Sequence, residues 1–381
     1  MINVLIVEDS PVEQELLAHI LGGDPRITVV GIAKDGEMAL SVIDRLKPDV
    51  ITIDIHMPKL GGYETTRRIM ESTPLPIIIV SGCYNANDAE MSFRAMEAGA
   101  LAIVRKPAGC GHPDYPGDAA ELLRTVKMMS EVKVVKRWPR LRAETPVQPF
   151  PVVTPHIIPE KILIAAIGAS TGGPAVLQEI CSALPKDLPV PLLVVQHMAT
   201  GFMENFVSWL GSVTGFPCHI ATHGKRPLPG HAYFAPDGFH MLTARDHRIV
   251  LSREEPEHGL RPAVGSLFRS VAETFGSSAV GILLTGMGRD GADDLKLLRS
   301  KGAVTIVQDR ESSVIFGMPG EAIKAGAADF ILPPQSIARL LTQLVMTPSG
   351  MASTTDYSER TKEKHHEHKT DNCSPPADPY C

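Results

Sequence analysis

Twice along this chain, short runs of branched apolar residues alternate with stretches of helical periodicity, and this alternation restricts the fold more than any other feature. Over residues 1–130 the runs are Val4–Val7, Ile27–Ala33, Val50–Ile53, Ile77–Val80 and Ala100–Val104. After the first run, Ser10 supplies a helix cap and Pro11 a first-turn residue. Leu16, Leu17, Ile20 and Leu21 then recur at helical spacing until Gly22-Gly23 ends the stretch. Apolar strands separated by helices predict a five-stranded parallel sheet covered on both faces. The alternation resumes at Lys161, with runs at Ile162–Ile167, Leu192–Val195, Ala279–Leu284 and Ala303–Val307. An insertion of short strands is expected near Ala232–Ser252. A second, doubly wound and mostly parallel α/β domain is therefore expected over residues 160–346.

The 381 residues suit two such domains. Residues 131–159 break the pattern with Lys133, Lys136, Arg137, Arg140 and Arg142, followed by Pro146, Pro149, Pro151, Pro155 and Pro159. Prolines at that density predict an extended linker, a docking segment for an acidic partner being the alternative. Residues 347–381 are polar, with histidines at 365, 366 and 368, and disorder is expected there. The net charge of -6 offers no basic face for nucleic acid. No apolar run approaches the roughly 20 residues of a membrane span, so no direct membrane insertion is expected. The start of the chain lacks the basic and long apolar regions of a signal peptide. The six cysteines (83, 110, 181, 218, 373 and 381) show no CxxC spacing. Reduced thiols and a cytoplasmic location are expected.

Ligands of open parallel sheets bind beyond the carboxyl ends of the strands. In the first domain those ends carry Glu8-Asp9, Asp54, Ser81 and, after the fifth strand, Lys106-Pro107. Clustered carboxylates repel unless a cation joins them, and hard oxygen ligands suit Mg²⁺. A carboxylate beside that ion can accept a phosphoryl group, with Ser81 and Lys106 placed to hold the phosphate oxygens. Residues 1–130 resemble a response-regulator receiver, a flavodoxin-like fold, through Glu8-Asp9-Ser10, Ile53-Asp54-Ile55-His56-Met57-Pro58, Ser81 and Lys106-Pro107. The resemblance implies Asp54 as phosphoacceptor, Glu8, Asp9, Asp54 and the His56 carbonyl as metal ligands, and a histidine kinase as phosphodonor. Ile103 stands where that family often has Tyr or Phe.

In the second domain the first strand runs into Gly168-Ala169-Ser170-Thr171-Gly172-Gly173. This fits G-x-S-x-G, a turn that exposes a serine nucleophile. A phosphate-binding glycine loop or a plain turn also fits, although no G-x-x-x-x-G-K pattern is present. The next strand ends in Gln196-His197-Met198, which places a base within reach of Ser170. Asp290 follows a later strand in Thr285-Gly286-Met287-Gly288-Arg289-Asp290-Gly291. The order Ser, His, Asp differs from that of α/β-hydrolases.

These motifs, with Ala235-Pro236 and Gly317-Met318-Pro319, resemble the catalytic domain of chemotaxis protein-glutamate methylesterases. The resemblance implies a Ser170–His197–Asp290 triad, oxyanion stabilisation near Thr171 and Met287, and no cofactor in this domain. It implies a phosphorylation-activated serine esterase acting on glutamate methyl esters of a chemoreceptor cytoplasmic domain, with glutamine deamidation left open. Arg261-Pro262-Ala263-Val264-Gly265 departs from the usual Arg-Pro-Ser-Val-Asp, losing a hydroxyl and a carboxylate. The rival expectation is a non-catalytic, receiver-controlled binding protein that lost activity through those changes.

Overall fold

The computed structural model describes residues 1–82, 86–132, 134 and 161–346, with 86–90 described by backbone alone. Most of the expected linker and all of the expected tail lie outside the described residues.

The first sheet is built from β1 (Ile2–Val7), β2 (Ile27–Ala33), β3 (Val50–Asp54), β4 (Ile77–Ser81) and β5 (Ala102–Arg105). Between and after them run α1 (Pro11–Gly22), α2 (Gly36–Leu46), α3 (Gly62–Ser72), α4 (Ala86–Glu97) and α5 (Tyr115–Met129). The strand order is β2-β1-β3-β4-β5, all parallel. Val4, Leu5, Ile6 and Ile77–Ile79 are fully buried because helices cover both faces. The Ser10 hydroxyl accepts from the Glu13 amide at 3.5 Å and Asp35 from the Met38 amide at 2.8 Å, so side chains start α1 and α2. The order reverses direction between β1 and β3, which opens a crevice at their carboxyl ends.

The second sheet contains β6 (Ile164–Ala169), β7 (Leu192–Gln196), β8 (Cys218–Ile220) and β9 (Ala232–Phe234). A hairpin of β10 (His240–Thr243) and β11 (Ile249–Ser252) precedes β12 (Ala279–Leu283), β13 (Val304–Gln308) and β14 (Phe330–Leu332). Its helices are α6 (Gly173–Ala183), α7 (Met203–Thr214), α8 (Val264–Phe275), α9 (Ala292–Ser300), α10 (Met318–Lys324) and α11 (Pro334–Met346). The seven strands run β14-β13-β12-β6-β7-β9-β8, all parallel. Apolar clusters lie on its two faces, around Phe206 and Leu177 on one and Phe268 and Leu295 on the other. The expected insertion is smaller than its sequence suggests. β9 joins the main sheet beside β7, and only the antiparallel β10–β11 hairpin stands apart.

By contacts, Met1–Met346 forms one unit. The first domain packs its α4 against α6 and α7 of the second. Phe93 of α4 is fully buried, its ring 5.4 Å from that of Phe206 and 5.2 Å from that of Trp209. Gln178 Nε2 donates to Glu97 Oε1 at 2.7 Å across the same boundary. Ile103 also packs against the second domain's core, so the position often aromatic in receivers is an interface residue here. Among the described residues no helix is long and apolar enough to cross a membrane.

Candidate functional site

Two sites stand at the carboxyl ends of the two sheets. In the first, β1 delivers Glu8 and Asp9 and β3 delivers Asp54, with one oxygen of each carboxylate within 4.8 Å of the others. Glu8 and Asp54 are buried while Asp9 is exposed. The ammonium of Lys106 lies 2.9 Å from Glu8 Oε2 and 3.1 Å from Asp54 Oδ2. The Glu8 contact is an ion pair by distance without the alignment of a good hydrogen bond. Burial, then the neighbouring Asp54, pushes the Glu8 carboxyl up. Burial also pushes Asp54 up, outweighing Lys106. For Lys106 burial pulls downward, but Asp54 and Glu8 together hold its ammonium above the ordinary value. Ser81 is buried at the end of β4, and its carbonyl accepts from the Lys106 amide at 3.0 Å. His56, two residues past Asp54, has an exposed side chain.

In the second site β6 ends at Ala169 and the half-buried Ser170 follows. Gly172 then takes a φ of 80°, a left-handed turn that glycine adopts without strain. A Cβ there would also lie 2.6 Å from Val314 Cβ. The Ser170 carbonyl accepts from Gln196 Nε2 at 2.8 Å and from the Gly173 amide at 2.8 Å. The Ser170 amide donates to the Thr285 carbonyl at 3.0 Å. His197, one residue past β7, is tied by its amide to the Ala169 carbonyl at 2.9 Å.

Asp290 Oδ2 lies 3.1 Å from His197 Nε2, with the ring N–H direction oblique to a well-formed hydrogen bond. Asp290 is buried, and its oxygens accept from the Val264 amide at 2.7 Å and the Gly265 amide at 3.0 Å. Burial alone would push this carboxyl up, but His197 and the two amides outweigh it and hold it below the ordinary range. The altered Ala263-Val264-Gly265 segment therefore serves Asp290 through backbone N–H groups at the start of α8, which do not depend on the missing hydroxyl and carboxylate. The space that a Gly265 side chain would enter holds the Asp294 carboxylate, which pairs with Arg269 at 2.8 Å.

The structure thus brings Ser170, Thr171, His197 and Asp290 to one edge, with Met287 exposed on the neighbouring turn. Three residues that position this edge carried no clear sequence signal. Gln196 and Thr285 enter the sequence reading only as members of motifs, and Gln308, the last residue of β13, is not singled out there. A cavity of about 150 Å³ separates Ser170 and His197 from Ile103, Glu121 and Arg124 of the first domain. Burial, more than any neighbouring charge, pushes the Glu121 carboxyl up.

Comparison with known proteins bears on both domains. A family described as CheB methylesterase matches residues 165–341, and one described as response regulator receiver domain matches residues 4–112. A Nitrosospira multiformis protein named protein-glutamate methylesterase/protein-glutamine glutaminase is 54% identical, covering 91% of this chain and 97% of its own. A Geobacter metallireducens protein of the same name, numbered 4, is 52% identical over 91% of this chain and 99% of its own. The crystal structure of the Thermotoga maritima CheB methylesterase catalytic domain is 37% identical, covers 49% of this chain and all of its own, and aligns with a TM-score of 0.47. With half of its residues shared with full-length relatives, this chain belongs to the receiver-bearing family of protein-glutamate methylesterases/protein-glutamine glutaminases.

Proposed function

We propose that Ser170, His197 and Asp290 hydrolyse γ-glutamyl methyl esters on the cytoplasmic domain of a chemoreceptor. The observation that carries this reading is Asp290, buried and ionised, set 3.1 Å from the ring of His197 on the edge that presents Ser170. Asp290 engages Nε2, which leaves Nδ1 to take the serine proton. Ser170 Oγ attacks the ester carbonyl, the imidazolium gives the serine proton to the departing methoxide, which leaves as methanol, and water releases the glutamate by the same steps. The N–H groups near Thr171 and Met287 face the developing oxyanion. An amide carbonyl would take the same path with ammonia as leaving group. Methanol release from methylated receptor, absent with Ser170→Ala, tests the reading.

Residues 1–130 act as the receiver, 131–159 as the linker and 160–346 as the esterase, in the cytoplasm. Glu8, Asp9 and Asp54, with the His56 carbonyl, fit Mg²⁺, since three hard carboxylates lie within 4.8 Å and one buried Glu8 oxygen lacks an aligned hydrogen bond. When bound, Mg²⁺ neutralises charge on the incoming phosphoryl group. Asp54 accepts that group from a histidine kinase, and Ser81 and Lys106 hold its oxygens. Burial raises Asp54, so folding disfavours its charged form relative to the unfolded chain, and that charge at neutral pH opposes folding. Without metal, stability should rise as the pH falls toward the raised value. Asp54→Asn should therefore melt higher than the wild type in metal-free neutral buffer, and should lose the stabilisation by Mg²⁺. A lower melting temperature for the variant would contradict this account.

The receiver also closes the esterase site. A receptor helix is about 10 Å across, and a cavity of about 150 Å³ does not admit one. Phosphorylation of Asp54 must weaken docking before protein substrate can reach Ser170. Phe93→Ala removes the buried ring stacked on Trp209, a truncation that costs roughly 3 kcal/mol. It should raise unphosphorylated turnover of receptor at least tenfold while leaving hydrolysis of a small ester within about twofold. Unchanged receptor turnover would show that α4 does not hold the closed state.

A further inference from the structure

Thr285 touches the nucleophile turn at several points. Its carbonyl accepts from the Ser170 amide at 3.0 Å, and its hydroxyl lies 2.9 Å from the Thr171 carbonyl. The same hydroxyl accepts from the Ile315 amide at 3.0 Å and lies 3.2 Å from the Ile315 carbonyl. A hydroxyl has one proton to give, and the Thr171 carbonyl is its nearer acceptor. Thr285 is itself fixed, because its amide donates to Gln308 Oε1 at 2.8 Å and both side chains are fully buried. Gln308 Nε2 in turn donates to the Ser312 carbonyl at 3.0 Å, which ties down the loop carrying Ile315.

In a planar trans peptide the N–H points opposite to the C=O. Gln196 draws the Ser170 carbonyl inward, so the Thr171 N–H faces the other way. Thr285 fixes the next peptide plane in the same manner and sets the direction of the Gly172 N–H. We propose that Thr285 is a positioning residue of the esterase, its hydroxyl holding the Ser170–Thr171 turn so that the N–H groups of that turn face the substrate oxyanion. The proposal rests on the esterase reading given above. It predicts a defect confined to the chemical step, because Thr285 is buried beneath the turn and does not line the cavity at Ser170.

The test uses the full chain with a phosphodonor and Mg²⁺, a peptide bearing a glutamate γ-methyl ester as substrate, and methanol release as readout. Thr285→Val keeps the shape and removes the hydroxyl. It should lower kcat by about tenfold to a hundredfold, the scale of one lost buried hydrogen bond, with KM within about twofold. Thr285→Ser should keep kcat within about threefold, since it retains the hydroxyl. Should Thr285→Val fail to fold, Thr285→Ser and Thr285→Ala supply the same comparison, differing by the hydroxyl alone. Equal kcat for the hydroxyl-bearing and hydroxyl-free variants, beside an active wild type, would overturn the positioning role and leave the esterase reading standing. A wild type that releases no methanol would overturn both.

Discussion

Ser170→Ala is expected to abolish methanol release, with a loss of roughly three to six orders of magnitude in kcat, while melting within a few degrees of the wild type. The side chain lost is small and half-buried, and no core packing depends on it. The backbone contacts of the turn, from Gln196, Gly173 and Thr285, do not involve the hydroxyl. His197 and Asp290 would stay in place, yet no acyl-enzyme could form. Near-normal turnover by the alanine variant would mean that the bond is broken elsewhere, or by a water activated without the serine. Single-turnover acyl trapping would separate these cases.

Gly286→Ala should cause the next largest loss. A Cβ at this position would lie 2.6 Å from Ser170 Cβ and would strike Met318 Sδ. The backbone there has little room to yield. The Gly286 amide donates to the Ile315 carbonyl at 3.0 Å, and its carbonyl accepts from the amides of Gly317 and Met318 at 3.1 and 2.8 Å. Relief must come from moving Ser170. A displacement of about 1 Å in a reacting group costs on the order of a hundredfold. We expect kcat to fall at least that far, with a much smaller fall in melting temperature. A variant with wild-type kcat would show that Ser170 tolerates displacement, against the geometry described above.

The long strands were legible because helices bury both of their faces, which leaves uninterrupted branched runs. Ile27–Ala33 matches its expected bounds at both ends. The edge strands Cys218–Ile220 and Phe330–Leu332 were not legible, since three residues carry no period. Ala232–Phe234 was assigned to an insertion because it sits among glycine and proline turns and its partner β7 lies far back in the chain. Strand-end chemistry was visible at Glu8, Asp54, Ser170 and His197, because parallel strands deliver their last residues to one edge. The roles of Ala263 to Gly265 were hidden for a different reason. That segment holds Asp290 through main-chain amides, and side-chain identity says nothing of them. Phe93 stands in no motif of the sequence, and only the packed structure reveals that it faces Trp209 of the other domain.

The most direct test of the whole account is methanol release from a methylated receptor cytoplasmic domain, measured for the full chain with and without a small-molecule phosphodonor and Mg²⁺. The account predicts slow release without the donor, at least tenfold faster release with it, no donor effect in Asp54→Asn, and none above background in Ser170→Ala. Release that is absent from the donor-treated wild type, or that persists unchanged in Ser170→Ala, would contradict it.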